Sequence, residues 1–336
     1  MIELGEKMVI QSNKKMSLLC ILQVLREHSD ENHPLTQAQI ISKIVNNYGL
    51  ELERKSIGAN IESLIDFGFD IIKTEKGCYL GQREFEPSEV SFLVDAVFSS
   101  RSIDSKRSRE LAEKISKFLS VNERKKYKYI CKSDEIIRTD NKQLFYTIDV
   151  LNEAIEKGKK VQFNYNRFYF DKETREKKNA KPYVINPYFL INNQGKYYLV
   201  CNYDYYDEIA NYKVELISNI KILEEDVKPI TKLKGCEKGV DMAKYANENI
   251  YMFHNKTISA TLKIENEYSA EYIMEWFGKN ARFYQKDNVI YADVTANEQA
   301  LIYWCLQYGD KIELVEPKDT REEIKNKIEN LNKRYR

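Results

Sequence analysis

The sequence predicts an α+β protein of several domains: a winged helix-turn-helix, a helical connector, a small bent β-sheet and a compact α+β extension. The chain has 336 residues, which exceeds one core of ordinary size at ~100–200 residues per domain. Apolar residues recur at helical spacing up to about residue 155, and short strand-like runs begin at Val161. From Ser259 onward, strand patterns alternate with helix patterns. We place the four segments at residues 1–85, 86–155, 156–230 and 231–336.

The composition is that of a folded protein, with 43% hydrophobic and 31% charged residues but only 6 Pro and 12 Gly. No stretch approaches the ~20 apolar residues of a membrane span, and the N-terminal residues lack the apolar centre of a secretory signal. We therefore expect a cytoplasmic protein. Six cysteines are scattered without a CxxC pair, so free thiols are expected and neither a metal nor a cofactor is predicted. The net charge of +1 does not decide the partner.

The N-terminal segment predicts three short helices and a hairpin. An apolar stripe marks a helix over Lys14–Glu27, and a second follows Thr36, a good N-cap, as far as Tyr48. A third helix runs from Glu53 to Phe67, where Gly68 can adopt the left-handed cap. Residues 69–80 then read as a hairpin turning at Glu75-Lys76-Gly77. Helix, turn, helix and hairpin in this order predict a winged helix-turn-helix.

In the rest of the chain, the spacing of apolar residues changes from helical to strand-like and then alternates between the two. Residues 87–152 are helical in spacing, which predicts the connector. The strands expected after it are Val161–Tyr165, Lys181–Tyr188, Tyr197–Tyr203, Ile209–Leu216 and Ile220–Leu223. The extension is expected to contain the strands Ser259–Ile264, Ala281–Gln285, Val289–Thr295 and Lys311–Val315 and the helices Ser269–Phe277, Glu298–Gln307 and Thr320–Lys333.

Three stretches together resemble the WYL-domain regulators of bacteria. Residues 53–64, followed by Gly68-Phe69, are similar to the recognition helix of the winged domain in that family. Residues 195–200 match the naming motif with tyrosine in place of its tryptophan, and the proline strand Asn186-Pro187-Tyr188 precedes them. Residues 212–217 are similar to the family's third motif. The segment from Tyr303-Trp304 to Pro317 resembles the extension that often follows the WYL domain.

This chain departs from the family pattern at three places. Gly58-Ala59 stands where members usually carry a second basic residue of the recognition helix. Lys213 and Leu216 stand where the third motif has two arginines, so one positive charge is kept and one is lost.

The resemblance implies a dimeric transcriptional regulator that binds double-stranded operator DNA. It implies that the WYL domain is a bent, Sm-like or SH3-like sheet with a nucleotide or nucleic-acid ligand. We expect a homodimer on a pseudo-palindromic operator, since a twofold dimer reads two half-sites.

The candidate DNA-binding residues lie on the second and third helices and on the wing. The N-terminal residues of a recognition helix contact base edges in the major groove. We therefore predict base contacts for Arg54, Lys55, Ser56 and Asn60. Thr36, Gln37 and Lys76 fit phosphate contacts from a helix N-terminus and a wing tip. The alternative is a solvated polar face.

The candidate ligand-binding residues combine aromatic rings with positive charge, which suits stacking on bases and neutralising phosphates. They are Tyr165, Lys181, Lys196, Tyr198, Tyr203, Tyr212 and Lys213. These tyrosines could instead pack a core. Strand alternation places Tyr198 and Leu199 on opposite faces, so Tyr198 faces the candidate site if Leu199 faces the core. The basic run Lys172–Lys181 is predicted to be a solvated loop, or alternatively a loop that closes over an anionic ligand.

An enzyme is disfavoured because the chain has no GxGxxG, P-loop or nucleophile elbow. The three histidines, His28, His33 and His254, have no carboxylate or cysteine at catalytic spacing. Two alternatives stay open: a nucleic-acid-binding accessory module that modulates a partner protein or enzyme, and a nucleotide hydrolase in the β-rich segment.

Overall fold

The computed structural model describes residues 16–126, 141–166, 182–253 and 255–336. The chain folds into two compact units, residues 1–140 and 141–336. The predicted boundaries at residues 85, 155 and 230 subdivide these units and stay predictions. In the described part, no helix is long and apolar enough to cross a membrane.

The first unit begins with the predicted three helices and hairpin. Its elements are α1 (Ser17–His28), α2 (Gln37–Tyr48), α3 (Arg54–Phe67), β1 (Ile71–Thr74), β2 (Gly77–Leu80), α4 (Pro87–Ser99), α5 (Ser105–Ser116) and α6 (Val121–Lys126). The apolar stripes of the first three helices meet in one core, in which Leu25, Ile40 and Ile57 are fully buried. Each such side chain contributes ~1.5–3 kcal/mol of transfer free energy.

The ends of α2 and α3 follow from local chemistry. Thr36 and Gln39 form a capping box at the start of α2: Thr36 Oγ1 accepts from Gln39 N, and Gln39 Oε1 accepts from Thr36 N. Gly49 and Gly68 end the two helices with φ of +66° and +112°, which residues with a side chain adopt only at a cost.

The second unit opens with a helix on a five-stranded antiparallel sheet. Its elements are α7 (Leu144–Lys157), β3 (Lys159–Tyr165), β4 (Pro182–Asn193), β5 (Lys196–Asn202), β6 (Ala210–Lys213) and β7 (Ile217–Asp226), in the sheet order β6-β5-β4-β3-β7. The long strand β4 pairs with β3 over Pro182–Ile185 and with β5 from Asn186 onward, with a bulge in the second ladder between Pro187 and Phe189. Leu151 and Ala154 of α7 are fully buried.

The sheet curls towards closure. A single 3-10 turn, Val214–Leu216, leads from β6 at one edge to β7 at the other. So short a connection requires the two edges to approach each other, as in small barrels. The strand expected over Ile209–Leu216 therefore ends early, at Lys213, because the chain must change direction there.

The extension that follows has a β-α-β-β-α-β order. After α8 (Met242–Glu248) come β8 (Thr257–Ile264), α9 (Ala270–Phe277), β9 (Arg282–Lys286), β10 (Val289–Asn297), α10 (Glu298–Gln307), β11 (Ile312–Glu316) and α11 (Lys318–Arg334). The antiparallel sheet has the order β11-β8-β10-β9, which is the ferredoxin-like topology. Trp304 is fully buried beside Leu262, Ile273 and Leu301, in the core between the helices and one face of the sheet. The predicted fold class is confirmed.

Candidate nucleic-acid interface

The start of α2 packs closely on the first turns of α3. Arg54 Nε donates to Gln37 Oε1 at 3.2 Å. A Cβ atom at Gly58 would lie 3.4 Å from Gln37 Nε2, so the absence of a side chain at residue 58 lets the two helices approach. Two of the predicted DNA-binding residues, Gln37 and Arg54, are therefore side by side.

The exposed face of α3 changes charge along its length. Arg54 and Lys55 are exposed in the first turn, and Ser56 Oγ donates to the Glu53 carbonyl. Further along, Glu62 and Asp66 are exposed, and Glu62 forms an ion pair with Lys73 of β1. The surface of α3 that can attract a phosphate is thus confined to its N-terminal turn.

Asn60 does not join these residues. It is half-buried, and its Nδ2 donates to Ser17 Oγ of α1 at 3.1 Å. Asn60 lies beside the buried apolar stripe of α3, to which Ile61 belongs. Its side chain therefore points towards α1. The base contact predicted for Asn60 is replaced by a contact between helices.

The hairpin that follows α3 is completed by a third segment. Leu35 and Cys78 exchange both backbone hydrogen bonds, at 2.8 and 2.9 Å, which attaches β2 to the residue before Thr36. Lys76 is exposed in the turn between β1 and β2. The N-cap of α2 and the tip of the wing are therefore tied together, in the arrangement of a winged helix-turn-helix.

Gly77 is the position on which this attachment depends. Its φ is +138°, and a Cβ atom there would lie 2.4 Å from the Leu35 carbonyl oxygen. We expect Gly77→Ala to destabilise the first unit by at least ~2 kcal/mol, because strain and a backbone clash add. Hydrogen exchange of residues 29–80 measures this loss. The control is Gly49→Ala, at φ +66° with no atom within 4 Å, for which ~1 kcal/mol is expected. Equal losses in the two variants would contradict the close contact.

A buried carboxylate fixes the helices of the connector to the winged domain. Asp30 accepts hydrogen bonds from Ser120 Oγ and from His33 Nδ1, both at 2.7 Å. Burial raises the pKa of Asp30, but the hydrogen bonds from Ser120 and His33 outweigh it and lower the pKa overall. No carboxylate was expected at catalytic spacing from the histidines; in the structure His33 contacts Asp30, three residues before it. Since Asp30 lies between the serine and the histidine, His33 cannot take a proton from Ser120 as in a catalytic triad, and the group is structural.

In the second unit, the predicted tyrosines meet inside the curled sheet. Tyr165 and Tyr212 are buried edge to face at 4.8 Å between ring centroids. The Tyr203 and Tyr212 hydroxyls are hydrogen-bonded. Burial, and then this hydrogen bond, raise the pKa of Tyr203. Phe163 and Tyr183 were not predicted from the sequence. Phe163 lies two residues before Tyr165 on β3 and shares its face, and the rings of Phe163 and Tyr183 both contact Tyr212.

Two of the predicted lysines, Lys196 and Lys213, lie on the opposite face of β5 and β6. Tyr198 pairs with Lys213 across the strands, whereas Leu199 pairs with Tyr212. Side chains alternate between faces, so Lys213 and Tyr198 share a face that Tyr212 does not. Lys196, two residues before Tyr198, belongs to that face as well.

Tyr198 is less accessible than predicted. Leu199 faces the core as expected, but Tyr198 is also buried, at 9% exposure, in a cluster with Ile191, Val200 and Met252. Burial raises the pKa of its hydroxyl. Met252 belongs to the segment after α8, which covers this face of the sheet, so little of the Tyr198 ring is free to stack on a ligand.

A buried polar network holds the β5–β6 loop beside the tyrosine cluster. Asn202 is fully buried, and its Nδ2 donates to the Tyr206 and Glu208 carbonyls, both at 2.8 Å. Lys160 Nζ lies 2.8 Å from carboxylate oxygens of Asp204 and Glu225. The loop is thereby ordered, with Tyr205 exposed on it.

Some predicted residues lie outside the described part of the chain: Lys181, the rest of the run Lys172–Lys181, and His254. The same holds for Cys131, while the other five cysteines are free and buried. Among the described residues, no group of three or more His, Cys, Asp or Glu side chains could hold a metal ion.

Two solved structures illustrate the similarity to known folds. One is proteasome accessory factor B/C (PafBC) of Arthrobacter aurescens, at 13% identity and a TM-score of 0.29, covering 96% of this chain and 49% of that chain. The other is a CRISPR Cas-related protein, at 15% identity and a TM-score of 0.37, covering 95% of this chain and 85% of that chain. The chain thus spans about half the length of the first. At TM-scores this low, neither likeness says anything further about this chain. No curated protein matches it.

Two protein-family models match the second unit. The WYL domain model matches residues 146–222, from within α7 to within β7. The WCX domain model matches residues 256–331, which span the β-α-β-β-α-β extension and most of α11. The WYL domain and the extension predicted from the motifs at residues 186–217 and 303–317 are confirmed: the chain contains a WYL domain followed by a WCX domain.

Proposed function

We propose that the protein is a DNA-binding transcriptional regulator. The observation that carries this proposal is the arrangement of α2, α3 and the wing, in which Gln37, Arg54, Lys55 and Lys76 are accessible at adjoining ends of three elements. A recognition helix contacts base edges with its N-terminal residues while a helix N-terminus and a wing contact phosphates. We assign the base contacts to Arg54 and Lys55.

The charge on α3 determines how the helix lies in the groove. With Glu62 and Asp66 exposed beyond the first turns, a helix lying lengthwise in the groove would bring carboxylates towards phosphates. We infer that α3 enters the major groove end-on, with its N-terminal turn deepest. The homodimer repeats this contact at two half-sites about one helical turn apart, or a multiple of it.

The WYL sheet is the proposed ligand-sensing site, for a nucleotide or a nucleic acid. Lys196 and Lys213, on one face of β5 and β6, are the proposed phosphate-binding residues, and lysine acts there as a point charge. The tyrosine cluster of Tyr165, Tyr203 and Tyr212 lies on the other face. A ligand alters DNA binding only if its affinity differs between the free and DNA-bound states.

Fluorescence anisotropy across a salt series tests the proposal, using duplex DNA from the protein's own promoter region, scrambled duplex and single strands. We expect the promoter duplex to bind at least ~10³-fold more tightly than the scrambled duplex, with a steep salt slope. Equal affinity for all duplexes, combined with tighter binding of single strands, would instead support the accessory module.

The accessory module stays the second candidate because of the acidic half of α3, which limits the area available to duplex DNA. A single asymmetric half-site bound by a monomer in a footprinting experiment would overturn the homodimer on a pseudo-palindromic operator.

A further inference from the structure

We propose that the open face of the WCX sheet binds single-stranded nucleic acid, with its bases stacked on Tyr284 and Tyr291. This site is distinct from the winged domain and from the WYL sheet. It rests on three observations: a stacked tyrosine pair, the charges around it and the accessibility of the face.

The two tyrosines stand side by side on neighbouring strands. Tyr291 of β10 pairs directly with Tyr284 of β9, and their rings stack at 5.5 Å between centroids with planes 17° apart. Cross-strand partners share a face, so the rings form one flat platform. Tyr284 is 39% exposed. Base–aromatic stacking is largely independent of sequence, since every base has a π-face.

Positive charge surrounds the platform. Lys263 of β8 pairs with Tyr291 on its other side, so lysine and the two tyrosines form a row across the sheet. Arg282 and Lys286, two residues to either side of Tyr284, share its face and are exposed. Neither forms an ion pair with a carboxylate of the described residues.

Three carboxylates share this face, and the third, Glu316 opposite Thr261, lies on β11, two strands away from Tyr291 and three from Tyr284. Asp293 lies opposite Arg282 and accepts a hydrogen bond from Thr261 Oγ1 at 2.7 Å. Glu313 forms ion pairs with Arg321 and, at 3.5 Å, with Lys263. Since the Thr261 hydroxyl is neutral, Asp293 keeps its charge beside Arg282, and Lys286, on the other side of Tyr284, is the cation best placed to bind a phosphate.

The face is open because the helices occupy the other one. Ala260, Leu262, Ala292 and Val294 point into the core with α9 and α10, and the residues between them alternate outward. One RNA-binding module shows that aromatic residues on a four-stranded sheet can stack two or three bases of a single strand. Single-stranded bases are accessible to a flat platform, whereas the bases of a duplex already stack on each other, so we commit to a single strand.

Tyr284→Ala in the full chain tests the proposal, with a fluorescein-labelled oligo-dT as probe. We expect its affinity to fall about ten-fold. Tyr284→Trp should bind like the wild type. The matched control Tyr303→Ala removes a tyrosine that is 50% exposed on α10, which packs on the other face of the sheet, and should change affinity less than two-fold. Equal losses in the two alanine variants, or no loss in Tyr284→Ala, would overturn the platform.

Photo-crosslinking to an oligonucleotide that contains 5-iodouracil gives a second test on the unaltered protein. Crosslinks at Tyr284 or Tyr291 support the site, and crosslinks that map only to other residues overturn it. Replacing Arg54 and Lys55 by alanine should leave these crosslinks in place. Failure of duplex binding and failure of the platform are therefore distinguishable.

Discussion

Replacing Arg54 and Lys55 together by alanine should weaken binding to the promoter duplex by about 100-fold. Two contacts at the start of a recognition helix contribute ~1–3 kcal/mol each, and 1.4 kcal/mol is ten-fold in affinity. No neighbouring side chain of α3 should compensate, because Glu62 and Asp66 occupy the rest of its exposed face. Anisotropy with promoter and scrambled duplex at several salt concentrations measures it.

The control removes the same charge elsewhere in the first unit. Lys106 and Lys114 are exposed on α5, and replacing both by alanine should change promoter affinity by less than about three-fold, since charges away from the contact act only through the long-range field. If the Arg54/Lys55 variant kept wild-type affinity, or if both double variants lost equally, the base contacts assigned to α3 would be refuted.

The sequence was sufficient to predict elements whose signals are local. The Thr36 capping box and the glycines at 49 and 68 end helices by chemistry confined to a few residues, so α2 and α3 lie where they were predicted. The end of the strand expected over Ile209–Leu216 is not determined by local sequence in this way. Its end at Lys213 depends on closure of the sheet, which no local pattern encodes.

The sites depend more strongly on contacts between distant residues. Strand alternation separated Tyr198 from Leu199 correctly, but it could not show that Met252 packs on Tyr198. Alternation also separates Tyr212 from Lys213 on β6, but only the register between β5 and β6 shows that Lys213 stands opposite Tyr198. Asp30 and Ser120 are 90 positions apart. A periodicity identifies the face of an element and leaves open what covers that face.

Replacing Arg83 by alanine should destabilise the first unit by about 3–5 kcal/mol, as expected when one partner of a buried ionic group is removed. Its guanidinium donates to the carbonyls of Arg26, at 2.8 Å, and of Ser29, both at the end of α1. Burial lowers the pKa of Arg83, and the nearby Glu123 carboxylate opposes that shift. Without the guanidinium, the two part-buried carbonyls lose a hydrogen-bond donor, and Glu123 loses a positive charge 3.9 Å away.

Hydrogen exchange resolved by peptide is the appropriate measurement, because a chain of two units need not unfold in one step. Protection should fall across α1 and α6 and stay unchanged in residues 141–336. Arg83→Lys keeps the charge but not the planar donor geometry, so its loss should be intermediate. The surface control Lys106→Ala should cost less than about 0.5 kcal/mol. A similarly small loss in Arg83→Ala would show that α6 is held to the winged domain by apolar packing alone, and Arg83 would then be dispensable for coupling the connector to the DNA-binding helices.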